Sequence, residues 1–173
     1  MEYLIVGIAS YLMGSIPFGL ILTKIFLKKD IRDIGSGNIG ATNVLRTGNK
    51  LIGYLTLVLD ITKAIIPVIY VKVNFPELIY IASLCAFLGH VFPIWLKFKG
   101  GKGVATYVGI LFSINILLGI VFILSWIVIF LLSKYSSLSS IVASLSVPVY
   151  LLIKGNIDTV IFFIIMFVLI FFT

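Results

Sequence analysis

Two segments of this sequence concentrate the groups that could do chemistry, and both suit an oxyanion. The first is DIRDIGSGNIGATNVLR, Asp30 to Arg46; the second is GHVFPIWLKFKGGKGVAT, Gly89 to Thr106. The second holds the sole histidine, His90, with Lys97, Lys99 and Lys102 and the glycines Gly100, Gly101 and Gly103. Glycines let backbone N–H groups turn toward an anion, and a lysine supplies charge. A helix starting near Gly103 would add the positive end of its dipole. The plainer alternative is a basic turn between two apolar segments that obeys membrane charge asymmetry. A nucleotide-binding P-loop is excluded. Gly103 follows Lys102 where Ser or Thr is needed, and Leu96 stands where the earlier glycine belongs.

In the first segment Gly35, Gly37 and Gly40 are interspersed with Ser36, Asn38, Thr42 and Asn43, and Arg46 closes the run. Short polar side chains and accessible amides fit phosphate or carbonyl oxygens. An arginine can grip a phosphate with two parallel hydrogen bonds. A Gly/Asn-rich connector with a capping residue is the competing reading. The length of the segment and its uniform chemistry favour a ligand.

Elsewhere chemistry is sparse. Asp60 and Lys63 lie three residues apart in an apolar stretch, which predicts a structural ion pair between helices. His90 reads either as a packing residue or as a substrate contact. The His-x4-Asp pattern of soluble-type acyltransferases is absent, because Trp95 occupies the aspartate position. No second histidine or cysteine/carboxylate cluster accompanies His90, so no metal is expected. Ser136, Ser137, Ser139 and Ser140 can cap a helix or bind an oxyanion. No Ser-His-Asp order or Gly-x-Ser-x-Gly elbow supports a covalent serine mechanism. Cys85 is alone, which leaves no intrachain disulfide and no cysteine metal site.

The elements that must position these groups are membrane helices. The chain is 61% hydrophobic and 11% charged, with a mean hydropathy of +1.26. A soluble domain of 173 residues could not hide that much apolar surface. No cleavable signal peptide is expected, since Met1-Glu2 is acidic and no small-residue cleavage site follows. Apolar runs at 3–25, 51–71, 78–96, 104–115, 116–132, 141–153 and 157–173 predict an all-α, polytopic helix bundle of about seven transmembrane helices in one domain. The run at 104–115 is short and needs shielding by neighbours. Residues 133–140 read as a polar turn. The basic residues Lys28, Lys29, Arg32, Arg46, Lys50, Lys97, Lys99, Lys102 and Lys134 share one side, against Lys72 and Lys154 on the other. That bias predicts an outside N-terminus and cytoplasmic motif loops. The net charge of +7 then reads as topology and lipid-facing electrostatics, not nucleic-acid binding.

Four stretches in order, GSGNIGATNVLR (Gly35–Arg46), DITKAIIP (Asp60–Pro67), GHVFPIWLKFKGGKGVAT and SLSS (Ser137–Ser140), resemble the bacterial acyl-phosphate:glycerol-3-phosphate acyltransferases. The resemblance covers nearly the whole chain. It implies a multi-pass enzyme of the bacterial inner membrane. That enzyme moves a fatty acyl group from acyl phosphate to the 1-hydroxyl of glycerol 3-phosphate and makes lysophosphatidic acid for phospholipid synthesis. It implies no cofactor, no nucleic acid and no obligatory protein partner; the partners are the two substrates and the bilayer. Carried over, Ser36, Arg46, Lys102 and Ser140 are the catalytic set that holds phosphates and orients the hydroxyl. Backbone amides around Gly37, Asn38, Gly40, Gly100, Gly101 and Gly103 cradle the acyl phosphate, and Asn43 and His90 complete the binding set. Two departures stand out. Ala64 replaces a usual glycine, and the chain ends at Thr173 without the polar tail, resembling His-Arg-Glu-Asn, that supplies a histidine and an asparagine. A truncated member of the family is therefore expected, with a small anion transporter or channel, or an inactive remnant, as the alternatives.

Overall fold

The computed structural model describes the backbone of residues 1–173 and every side chain except that of Asp158. The described residues form nine α-helices: α1 (Glu2–Gly14), α2 (Phe18–Leu27), α3 (Ala41–Leu45), α4 (Lys50–Asn74), α5 (Ile79–Val91), α6 (Val104–Ile114), α7 (Ile116–Ser133), α8 (Ser136–Ile153) and α9 (Ile157–Phe172). Short 3-10 turns occur at Ile31–Asp33, Pro76–Leu78 and Ile94–Leu96. Five stretches are long and apolar enough to cross a membrane: Glu2–Leu27, Lys50–Asn74, Pro76–Leu96, Ile116–Ser133 and Ser136–Ile153; α6 and α9 are shorter apolar helices. The 25 residues of α4 rise about 37 Å, more than the ~30 Å hydrocarbon core. Large apolar side chains such as Leu124, Leu132 and Ile161 stand exposed, as lipid-facing positions should.

The structure changes three boundaries. The first apolar run remains one candidate span but is broken into two helices, α1 and α2. Pro17 has no N–H to continue α1 and instead takes the N-cap position of α2. The supposed turn at 133–140 shrinks to a left-handed Lys134 and Tyr135, and α8 begins at Ser136. The serines do not cap it. The Ser139 and Ser140 hydroxyls donate to the carbonyls of Tyr135 and Ser136, at 2.8 and 2.9 Å. Serines satisfied within the helix add a turn to α8 and bring it to spanning length. Third, the first polar loop contains a helix of its own, α3.

The chain divides into two units, Met1–Ile110 and Leu111–Thr173. In the first unit α1 packs on α5 and α4, and α2 and α3 pack on α4. The α1 and α5 backbones touch. A side chain at Gly14 would strike the Ala86 carbonyl, and one at Gly89 would strike that of Tyr11. Small residues permit such approach between membrane helices. One apolar cluster, Val6, Val71, Leu78 and Ala82, fills this unit near one end. Another, Leu20, Ile31, Ile39, Val44 and Ile52, lies under the first loop, with Leu96 packed against it. In the second unit α8 lies between α7 and α9 in contact order, with Phe122, Val147, Phe163 and Met166 buried. Trp126 stacks on Phe130 at 4.8 Å.

Tyr11 of α1 and the carbonyl of its C-cap, Ser15, also staple the segment that follows α5. The Tyr11 hydroxyl donates to the Phe92 carbonyl at 2.7 Å and accepts from the Ile94 amide at 3.1 Å. The Trp95 indole donates to the Ser15 carbonyl at 3.0 Å. Tyr11→Phe is expected to cost about 1–2 kcal/mol, because it orphans one donor and one acceptor while keeping the ring. Thermal unfolding of the purified protein in detergent would read it.

Candidate active site

The first loop is organised around one buried amide. Asn43 is 3% exposed. Its Nδ2 donates to the carbonyls of Ile31, Ile34 and Asn38, at 3.1, 2.8 and 2.9 Å. Its Oδ1 accepts from the Ser36 amide at 3.0 Å. Asn43 is therefore fully engaged in shaping the loop, which replaces the expected substrate contact with a structural one. The apolar residues of the loop, Ile31, Ile39 and Val44, are buried in the cluster beneath it. Burying them fixes the loop on α2 and α4 and leaves Ser36 and Arg46 exposed.

Arg46 caps the end of α3 and folds back over the turn at Gly35, whose φ is +57°. A Cβ at Gly35 would lie 2.8 Å from Arg46 Cδ and 3.0 Å from its Nη1. The guanidinium thus sits beside Gly35 and next to Ser36, as a phosphate clamp needs. Asp30 is unavailable as a base. Arg32 grips it with Nε at 2.9 Å and Nη2 at 2.6 Å, and Lys24 stands 3.2 Å away. The hydrogen bonds from Arg32 hold the Asp30 carboxyl well below the usual carboxylate range, and Asp30 in turn raises the guanidinium.

The second loop doubles back along the end of α5. The Gly100 amide donates to the Val91 carbonyl at 3.0 Å and the Gly101 amide to that of His90 at 3.1 Å. In the first loop the Gly37 amide donates to Ile34 at 3.0 Å and the Gly40 amide to Asn38 Oδ1 at 2.9 Å. These four amides were expected to cradle the acyl phosphate, and the protein uses them itself. At a membrane boundary a loop must first satisfy its own backbone. What the second loop offers a ligand is exposed Lys102 and the start of α6. The first amides of a helix have no intrahelical partner. Thr106 Oγ1 is also buried there without a hydrogen-bond partner.

His90 is buried. It is 4% exposed, and its Nε2 fills the space where Gly101 would carry a side chain. Its Nδ1 lies 3.8 Å from Asp60 Oδ1. Asp60 pairs with Lys63 at 2.7 Å, both side chains 3% exposed, so the ion pair read from the sequence is present. Its link to His90 was missed. Thirty residues separate Asp60 from His90, and no local pattern signals a contact at that distance. Ser140 belongs to the second unit. It is 8% exposed, donates to Ser136 and accepts from the Trp126 indole at 3.1 Å.

Ser36, Arg46 and Lys102 thus lie on loops of one unit. Leu96 of the second loop packs on the cluster that carries the first, so the two basic loops share an apolar floor. Known proteins resemble this chain in sequence and fold. The family profile described as glycerol-3-phosphate acyltransferase matches residues 4–173. A glycerol-3-phosphate acyltransferase of Pelagibacter ubique (strain HTCC1062) is 78% identical over 173 residues, covering 100% of this chain and 90% of that one. One from Bartonella henselae is 52% identical over 151 residues, covering 84% and 72%. The crystal structure of PlsY, an integral membrane glycerol 3-phosphate acyltransferase, in its glycerol 3-phosphate form superposes with a TM-score of 0.91. It is 37% identical, covering 99% of this chain and 88% of that one. Its lysophosphatidic acid form gives a TM-score of 0.88 at 36% identity, covering 99% and 87%. With two basic, glycine-rich loops in one unit and a family match over residues 4–173, the protein belongs to the glycerol-3-phosphate acyltransferase family.

Proposed function

We propose that the chain, acting as one multi-pass enzyme of the bacterial inner membrane, transfers a fatty acyl group from acyl phosphate to the 1-hydroxyl of glycerol 3-phosphate. The products are lysophosphatidic acid and phosphate. The observation that carries this reading is the shared floor of the two loops: Leu96 packs on the cluster that Ile31, Ile39 and Val44 form with Leu20 and Ile52. It ties the loop of Ser36 and Arg46 to the loop of Lys102, and both substrates carry phosphate. The related PlsY structures hold glycerol 3-phosphate and lysophosphatidic acid, an acceptor and a product of this chemistry. We assign the loops to the cytoplasmic face and the N-terminus to the outside, from the distribution of Lys and Arg.

An acyl phosphate is a mixed anhydride and needs no further activation. Catalysis then reduces to positioning and charge stabilisation. Arg46 and Ser36 hold the phosphate of the acceptor, and Lys102 with the start of α6 meets the donor phosphate. The acceptor hydroxyl oxygen attacks the acyl carbon, the bond from that carbon to the phosphate oxygen breaks, and phosphate leaves. The hydroxyl proton passes to the acceptor's own phosphate dianion, whose second pKa of about 6 makes it a usable base. Asp30, locked by Arg32, cannot take it.

The test is formation of lysophosphatidic acid from palmitoyl phosphate and glycerol 3-phosphate. It would use the purified chain, and the same chain carrying the His-Arg-Glu-Asn-like tail that the resemblance implies. Product should depend on both substrates, and Lys102→Ala should slow it about tenfold or more by removing a phosphate-facing charge. Silence from both forms would overturn the reading. A pH–rate profile that ignored the pKa of the acceptor phosphate would overturn the proton transfer.

A further inference from the structure

We propose that Asp60, Lys63 and His90 are positioning residues, a buried polar brace that sets the depth of the Gly100–Gly103 loop. The inference rests on the functional reading above for its kinetic consequence, though not for its geometry. Ionisable side chains at membrane depth are costly, and these three are 2%, 3% and 4% exposed. Neutralising one charge with another would need only the Asp60–Lys63 pair. The pair does more. Lys63 Nζ also donates at 2.7 Å to the Ile16 carbonyl, in the break from which α2 leads to the first loop. On its other side Asp60 Oδ1 faces His90 Nδ1 at 3.8 Å, and that nitrogen is buried with no hydrogen-bond partner. The opposite edge of the imidazole, Nε2, rests on Gly101. The contacts therefore run in series from the α1–α2 break through α4 and α5 to the second loop. They join the supports of both phosphate loops. None of the three side chains is open to a ligand, so they act through the loop and not on the substrate.

Two isosteres separate the edges of His90. A glutamine amide reaches where Nε2 stands and still props Gly101. An asparagine amide stands where Nδ1 stands, faces Asp60, and leaves the space over Gly101 empty. His90→Asn is expected to raise KM for palmitoyl phosphate about tenfold, since ångström-scale misplacement of a positioning group is costly, with KM for glycerol 3-phosphate changed by less than about twofold. His90→Gln should recover most of that loss. Limited trypsin digestion gives a readout independent of activity. Lys97, Lys99, Lys102 and Lys134 are all exposed. Cleavage at the first three should accelerate several-fold relative to Lys134 in His90→Asn and not in His90→Gln. The proposal fails if glutamine rescues no better than asparagine, if both KM values rise together, or if cleavage at all four lysines rises in parallel. Should no form of the parent make product, the functional reading falls. The cleavage ratio still decides the brace.

Discussion

Arg46→Ala is expected to lower kcat/KM for glycerol 3-phosphate by about 10²–10³, because it removes the clamp on the acceptor's phosphate and misplaces the attacking hydroxyl. Arg46→Lys should recover only part of it. The guanidinium is held in place by the fold itself: α3 ends at Leu45, Arg46 is its C-cap, and the side chain lies along the Gly35 turn with Nη1 3.0 Å from where a Cβ would be. A planar fork in that position can bond two phosphate oxygens at once, whereas an ammonium offers a point charge. Stability should change little, because the side chain is exposed and the loop is held by Asn43 and its buried apolar residues. Steady-state kinetics against each substrate in turn would check this. A lysine variant within about twofold of the parent would mean that charge alone holds the phosphate and that the fork geometry contributes nothing.

The contrast between Arg46 and Asn43 shows what the sequence makes legible. Glycine-rich, basic loops between apolar runs point to a candidate anion site, and the apolar runs announce their helices, because both signals are local in composition. Which polar group faces the ligand is not local. Asn43 and Ser36 look alike as short hydrogen-bonding residues, yet one is consumed by three carbonyls of its own loop and the other is exposed. The same holds for the glycines. Their amides suggested a phosphate cradle, but those of Gly100 and Gly101 are taken by the end of α5. The α8 boundary is not legible because serines carry a turn signal, while inside a membrane helix their hydroxyls bond back to the preceding turn. Asp60 and Lys63 were legible as a pair through their spacing on one helix; His90 was not legible as their neighbour, because only the packing of α4 on α5 brings it there.

Lys63→Met alone is expected to cost about 3–5 kcal/mol and to leave little folded protein, because it strands a buried carboxylate. Asp60 would lose its partner at 2.7 Å while its side chain remains 3% exposed. The Ile16 carbonyl would lose a donor at 2.7 Å as well. The double variant Asp60→Asn/Lys63→Met should recover most of the stability, since removing both charges also removes the cost of burying them. Thermal unfolding in detergent, with the folded fraction read by size exclusion, would compare Lys63→Met with the double. Equal stability of the parent and Lys63→Met would mean that the pair is hydrated and not a buried ion pair. Recovery of folding need not recover the loop. With the carboxylate gone, His90 Nδ1 loses the charge that faces it at 3.8 Å. The double variant should therefore melt near the parent and still be cut by trypsin at Lys97, Lys99 and Lys102 faster than the parent. That combination separates the two roles of the cluster, since a pair that served stability alone would restore both properties together.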